Sequence, residues 1–387
     1  MTKRISQAVF LALAALLLLA LPVAALFAPA RENEISLYEN RRLAEEPVFT
    51  REALMDGSYA PALEAYLQDH IPGRDALLRL DAALQRAAGR PFVNDVLLSR
   101  GALLPYRDSL TRRDTAADAA EMADRLAALS RQVERWGGVF LYVGVANQYS
   151  VCRDDYPAYM NYVGAALDET RGAFYAALEE AGVLYLDLAS SADPEDYFRT
   201  DHHMRLPGAV AACGAVFDAL RGLGVEIPAI EDYTYRELPN PFYGSRSRGL
   251  YGLVPFTEPL LVFDRGPSVP FTRRDDGAAV PAEVLDLPET AEEPVNYGVF
   301  LGGDVAETVI DTGRPELASA LLFGDSYTNA VETVFYTGFD ETRYLDLRYY
   351  EDMSLTEYLE AYRPAVVVCL RDDGNYLTLT GNGDFGN

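Results

Sequence analysis

Leu317-Ala318-Ser319-Ala320-Leu321-Leu322-Phe323-Gly324-Asp325-Ser326-Tyr327 is the stretch whose reading decides the fold. Up to Phe323 it is a short apolar run of the kind buried in a sheet covered on both faces. Gly324 permits a tight turn. Thr328-Asn329-Ala330-Val331 then reads as the start of a helix. A strand that passes through a glycine straight into a helix is half of a βαβ unit. Ser326 stands at that corner, exposed and beside the positive end of the helix.

The same alternation recurs on both sides of this corner. Ala116 to Trp136 carries Met122, Leu126, Leu129 and Val133 at helical spacing, and Gly137-Gly138 stops it. Val139 to Val145 is a continuous apolar run, hence a buried strand. Tyr162 to Gly182 is a helix, Val183 to Leu188 a strand and Pro207 to Leu223 a helix. After the serine corner come a strand at Tyr344 to Leu347, a helix at Leu355 to Tyr362 and a strand at Ala365 to Leu370. Strands alternating with helices predict a mostly parallel sheet with helices on both faces, in three α/β/α layers. Residues 233–314 interrupt the pattern. They are rich in Pro, Gly, Tyr and Val, with short runs at Pro259 to Phe263 and Val295 to Phe300, and read as a β-rich insertion. Residues 116–387 thus form the main domain. Residues 31–115 form an N-terminal extension, with helices around Pro61 to Gln68 and Leu77 to Ala88 and a strand pair around Arg100-Gly101.

The chain holds only three histidines, and two of them adjoin an aspartate in Thr200-Asp201-His202-His203-Met204. In an extended segment residues two apart share a face, so Asp201 and His203 are expected together and His202 turned away. A carboxylate beside an imidazole fixes its tautomer and stabilises its charged form. With Ser326 these residues make a nucleophile, base and orienter set. Asn147, just past the strand ending at Val145, is a candidate oxyanion donor alongside the Ser326 N–H. Asp325, next to the serine in sequence, is assigned to capping or holding the turn. The bland readings are a structural histidine pair, a helix-capping serine and a turn glycine. A third reading makes Asp201, His202 and His203 metal ligands, but it needs a further ligand cluster, and His70 is the only histidine left.

The formal net charge of −26 over 387 residues excludes nucleic acid as a partner, and no Lys/Arg cluster offsets it. The 49% hydrophobic content supports a sizeable core. Lys3 and Arg4 precede an apolar stretch from Ala8 to Ala30 that is free of charge until Arg31. Its length suits a bilayer span, and the basic flank orients the rest outward. Residues 1–30 are therefore a signal-anchor, or a signal peptide cut near Val23-Ala24-Ala25. The expected location is the extracytoplasmic face of the cell membrane, or the cell surface after release. Cys152, Cys213 and Cys369 show no metal-ligand spacing; one disulfide plus a thiol, or three buried thiols, both fit.

Taken together, Tyr38-Glu39-Asn40-Arg41-Arg42-Leu43, Asp201-His202-His203, Gly208-Ala209, Gly324-Asp325-Ser326-Tyr327 and Asp346-Leu347-Arg348-Tyr349-Tyr350 resemble the DHHW family. That family is similar to the alginate O-acetylation proteins and, more widely, to the SGNH hydrolases. The resemblance spans most of the chain after the anchor. It implies an SGNH-hydrolase-like domain in which Ser326 is the nucleophile, with Asp201 and His203 preceding it in the chain. It also implies a serine esterase or O-acyltransferase that moves acetyl groups on envelope or extracellular polysaccharide. Such an enzyme takes an acyl donor, has a possible acyl-transfer partner in the membrane, and needs no metal or organic cofactor. Arg348 and Tyr349 become candidate substrate-binding residues. Met204 stands where the family name has tryptophan. The alternative is a non-catalytic envelope protein that keeps the fold and binds glycan or a partner.

Overall fold

Val366–Asp372 is buried along its whole length, and its side chains alternate between two cores. Val366, Val368 and Leu370 join one apolar cluster, while Val367 and Cys369 join the other. A strand with period-two side chains can do this only if both sheet faces are covered. In the computed structural model, which describes residues 2–28, 34–39, 41–99, 101–106, 115–254 and 256–386, this strand lies inside an eight-stranded sheet.

The sheet consists of β1 (Val139–Val145), β2 (Tyr185–Asp187), β3 (Thr272–Asp275), β4 (Ala278–Val280), β5 (Glu307–Asp311), β6 (Ala320–Gly324), β7 (Glu341–Leu345) and β8 (Val366–Asp372). Their spatial order is β4-β3-β5-β7-β6-β8-β1-β2. From β7 to β2 every pairing is parallel, with Phe323 opposite Cys369 and Cys369 opposite Tyr142. From β4 to β7 every pairing is antiparallel. The sheet is therefore mixed rather than mostly parallel, because strands of the 233–314 segment extend it. β3 and β4 are joined by Asp276 and Gly277, both at positive φ, as a two-residue hairpin requires.

Helices α1 (Thr115–Glu134), α2 (Asn161–Ala181), α3 (Leu206–Gly222), α4 (Thr328–Phe335) and α5 (Leu355–Tyr362) supply the outer layers. Leu126 and Val133 of α1, Phe174 and Leu178 of α2, and Leu359 of α5 pack with Phe140, Tyr142 and Phe323 on one face. Val216 and Phe217 of α3 and Val331 and Phe335 of α4 pack with Val143, Leu322 and Val368 on the other. Gly182, at φ 72°, ends α2, and a Ser354–Glu357 capping box starts α5.

Numbered in chain order, the five parallel strands run 4-3-5-1-2 in space, a doubly wound pattern in which the chain steps from β6 one way to β7 and then back across β6 to β8. Such sheets bind ligands outside the carboxyl ends of the strands, where the winding reverses. Here that point lies between β6 and β8, and Gly324 ends β6 there.

The chain divides into two units: residues 1–96 with 247–255, and residues 97–246 with 256–387. The sheet belongs to the second. In the first, Arg41 grips the buried Asp69 with both guanidinium nitrogens at 2.7 Å, and the Ala44 N–H donates to the same carboxylate at 2.8 Å. That pairing gives the Tyr38–Leu43 block a structural use, although its Asn40 lies outside the described residues, as does Arg100 of the expected strand pair. His70 is buried and stacks on Tyr66. Thr2–Leu26 is a helix. Several of its side chains, and Ala30 and Arg31 beyond it, lie outside the described residues. Among the described residues no helix is long and apolar enough to cross a membrane.

Candidate active site

Gly324 has no room for a side chain: a Cβ there would lie 1.8 Å from the Leu370 carbonyl oxygen. This close approach lets β6 run beside β8 to its last residue and then turn. Asp325 holds the turn, its carboxylate accepting from the Tyr327 N–H at 3.1 Å and from the Asp372 N–H at 2.8 Å. Burial, with Asp372 close by, pushes the Asp325 carboxyl well above the usual range. Its role is the turn, as the sequence indicated. Ser326 is left half-buried at the corner, and its backbone N–H has no acceptor among the described residues.

Ser326 Oγ lies 2.7 Å from His203 Nε2, and His203 Nδ1 lies 2.6 Å from Asp201 Oδ1. An ionised carboxylate only accepts, so Nδ1 carries the ring proton and Nε2 is free to accept from the serine hydroxyl. Asp201 is 1% exposed. Burial alone would raise its pKa, but the His203 imidazole, aided by His202 and the Ser245 N–H, holds it well below the ordinary value. The Ser245 N–H donates to Asp201 Oδ2 at 2.6 Å.

The segment is not extended. Asp201 Oδ1 also accepts from the His203 backbone N–H at 3.0 Å, which folds residues 201–203 into an Asx-type turn. His202 is therefore not turned away, as period-two geometry predicts. Its ring centroid is 3.7 Å from that of His203, and its Nδ1 meets Ser245 Oγ at 2.8 Å. Tyr297 covers the opposite face of His203, with centroids 3.9 Å apart and planes 6° apart. The catalytic-type imidazole is thus clamped between two rings. Gly244 allows the bend, since a Cβ there would lie 2.5 Å from the Thr200 carbonyl oxygen and 2.7 Å from Asp201 Cβ.

Sequence reasoning missed three supports. Tyr297 sits in a 3-10 turn, Tyr297–Val299, where the apolar run suggested a short β segment; Asn296 caps that turn through the Gly298 N–H. Gln148 is buried and donates to the Asp201 carbonyl at 2.8 Å and the Leu103 carbonyl at 3.1 Å. Ser245 ties Asp201 to His202. None of these carries a local motif; only its adjacency to Asn147 marks Gln148.

Among the described residues no hydrogen bond joins the other candidates to the triad. Asn147 Oδ1 caps the short helix Gln148–Val151, and its Nδ2 points to Asp372 Oδ1 at 3.3 Å rather than to Ser326. Arg348 is held in ion pairs with Asp346 and Asp304, and Tyr349 is 54% exposed beside it. Neither makes a hydrogen bond to Ser326, His203 or Asp201. Met204 is buried in the core and pairs with Tyr197 in an isolated β-bridge. Asp201, His202 and His203 have ligand-type atoms within 4.8 Å of one another. Those atoms hydrogen-bond to each other, to Ser326 and to Ser245.

Residues 101–256 match a family model described as SGNH hydrolase-like domain, acetyltransferase AlgX. The match covers less than half of the chain and includes Asp201 and His203. No curated protein sequence matches the chain significantly. Among solved structures, Bacillus cereus PatB1 with a sulfonyl adduct superposes with a TM-score of 0.63 at 19% identity, covering 76% of this chain and 98% of that one. A second structure of Bacillus cereus PatB1 gives 0.60 at 20% identity, covering 73% and 96%. A DHHW family protein from Eubacterium siraeum gives 0.55 at 19% identity, covering 73% and 94%. The resemblance to SGNH hydrolase-like and DHHW proteins read from the sequence is present in the fold.

Proposed function

We propose that this chain is a serine-dependent O-acyltransferase or esterase that handles acetyl groups on a cell-envelope or extracellular polysaccharide. The observation that carries the reading is the unbroken line Ser326 Oγ, His203 Nε2, His203 Nδ1, Asp201 Oδ1, with links of 2.7 and 2.6 Å. Its position outside the carboxyl end of β6, at the winding reversal, supports it, and so does the match of residues 101–256 to an acetyltransferase model.

Ser326 Oγ attacks the ester carbonyl of the acyl donor while His203 Nε2 takes its proton. Asp201 keeps the ring oriented and stabilises the imidazolium. The negative charge on the carbonyl oxygen is met by the Ser326 N–H at the turn before α4. Collapse expels the donor's alcohol, which leaves with the proton from Nε2, and an acyl-serine remains. His203 then accepts a proton from water or a sugar hydroxyl, whose oxygen attacks the acyl carbon and frees Ser326.

The N-terminal charge pattern and apolar stretch support export, with residues 1–30 anchoring the chain at the outer face of the membrane. An anchored enzyme would meet its acyl donor, or a partner that delivers one, at the membrane surface. The test is acetyl release from a chromogenic acetyl ester by the purified chain. Ser326→Ala is expected to lose at least about 10³-fold in kcat. Equal rates for the two proteins would remove catalysis and leave a glycan- or partner-binding protein.

A further inference from the structure

The 233–314 segment interrupts the alternation of strands and helices, yet it reaches the surroundings of all three triad residues. Ser245 donates its N–H to Asp201 Oδ2 at 2.6 Å, and the Tyr297 ring lies flat on that of His203. Asp304 Oδ1 accepts from Asn329 Nδ2 at 3.1 Å on the first turn of α4, and Asn329 donates its backbone N–H to the Ser326 carbonyl at 3.3 Å. We infer that the loop from Tyr297 to Asp304 is a clamp that holds the base against the nucleophile, with Tyr297 and Asp304 as positioning residues. The inference rests on the acyl-transfer reading and adds two residues to it.

The loop is closed on itself. The Phe300 N–H donates to the Tyr297 carbonyl at 3.2 Å, and the Gly303 N–H to the Phe300 carbonyl at 3.0 Å. A Cβ on Gly303 would lie 3.4 Å from Gly298 Cα, so the two limbs of the loop touch. Leu301 sits at φ 52°, a backbone that a residue with a side chain keeps only where its surroundings enforce it. The buried Arg273 of β3 enforces it by donating to the Leu301 carbonyl at 2.6 Å, and the Leu301 N–H donates to the Val284 carbonyl at 3.1 Å. A loop tied in this way shifts as one piece, so a displacement at Asp304 reaches the Tyr297 ring.

Asp304 is gripped from two sides. While Oδ1 meets Asn329 of α4, Oδ2 meets Arg348 at 3.1 Å, and Arg348 is itself held by Asp346 just past β7. Asp304 is exposed, and exposed ion pairs add little to stability. The value of the latch is therefore geometric. The torsion that turns an imidazole has broad minima, so the His203 ring keeps its plane only while both faces are covered. His202 covers one face and Tyr297 the other. Misplacing a catalytic group by about 1 Å costs roughly 10²-fold in rate.

The experiment uses the full chain and a chromogenic acetyl ester. Asp304→Ala and Tyr297→Leu are each expected to lower kcat at least about tenfold while KM changes less than about twofold. Asp304→Asn, whose side-chain oxygen still accepts from Asn329, and Tyr297→Phe, which keeps the ring, are expected to recover most of the loss. The double variant Asp304→Ala with Tyr297→Leu is expected to be no slower than Tyr297→Leu alone, because Asp304 acts through that ring. If Tyr297→Leu does not fold, the surface change Asp304→Ala and its Asn counterpart decide the matter.

A second readout needs no turnover. The chain has three histidines, so few ring N–H protons appear in its NMR spectrum. The His203 Nδ1 proton, bonded to Asp201, is expected as a sharp downfield resonance in the wild type, broadened by water exchange in Asp304→Ala. The inference is overturned if Asp304→Ala leaves kcat unchanged, or if the losses multiply in the double variant. It is equally overturned if the His203 resonance is alike in the wild type and Asp304→Ala. A wild type without Ser326-dependent turnover removes the acyl-transfer reading instead, and the resonance still decides the clamp.

Discussion

Ser326 and His203 stand 123 positions apart in the chain, with Oγ and Nε2 2.7 Å apart at one end of the sheet. The contact depends on two glycine approaches. Gly324 lets the serine strand end against β8, and Gly244 lets the backbone fold around Asp201.

Asp201→Asn keeps the shape of the side chain but offers His203 Nδ1 a neutral partner able to donate instead of accept. The imidazole then loses its fixed tautomer. The kcat for acetyl-ester turnover is expected to fall roughly 10⁴-fold, with a far-ultraviolet circular dichroism spectrum like that of the wild type. A loss of less than tenfold would mean that Asp201 does not orient the base.

Two glycine replacements should move stability in opposite directions. Gly324→Ala drives a methyl to 1.8 Å from a strand carbonyl that has no freedom to yield. It should cost about 3 kcal/mol or more. Gly172 lies exposed inside α2, and a methyl added there would meet nothing within 4 Å. Gly172→Ala should stabilise by about 0.5–1 kcal/mol through helix propensity. Urea midpoints read both.

Much of this architecture is legible in the sequence. Val139–Val145 and Leu355–Tyr362 fall where the apolar run and the helical period place them, because each is bounded by its own glycine, cap or turn. Asp201, His203 and Ser326 stand out because histidine is so scarce. The antiparallel extension is not legible, since Thr272–Asp275 is polar and sits near a sheet edge, where periodicity carries little signal. The Asp276-Gly277 pair is the one available sign of that hairpin. The ring of Tyr297 on His203 has no local signal, because stacking across 94 positions is set by tertiary packing alone. His202 departs from expectation because the Asx-type turn at Asp201 overrides the two-residue period.

Stability should fall as pH rises toward neutrality. Burial pushes the Glu332 and Asp373 carboxyls up to about 7. Each then holds a proton in the folded chain that the unfolded chain releases in the ordinary carboxylate range. The stabilisation is complete below that range and is lost as pH rises through about 7. Asp201, held low, has the opposite sign and acts only below this window. Urea unfolding at about pH 5 and about pH 8 should show the higher stability at the lower pH. Glu332→Gln should shrink the difference; an unchanged difference would count against a protonated Glu332.

Cys152, Cys213 and Cys369 are all buried free thiols, and burial raises the pKa of each. A thiol reagent should label none of them in the native chain and all three after denaturation without reductant. Fewer than three labelled thiols would reveal a disulfide.

The acyl-serine is the intermediate on which the account turns. The protein is incubated with an acetyl ester, quenched in acid, digested and read by mass spectrometry. One acetyl group should appear on Ser326 in the wild type and be absent when His203→Ala removes the base. An acetyl group on another residue, or turnover by the wild type with Ser326 never modified, would contradict the account.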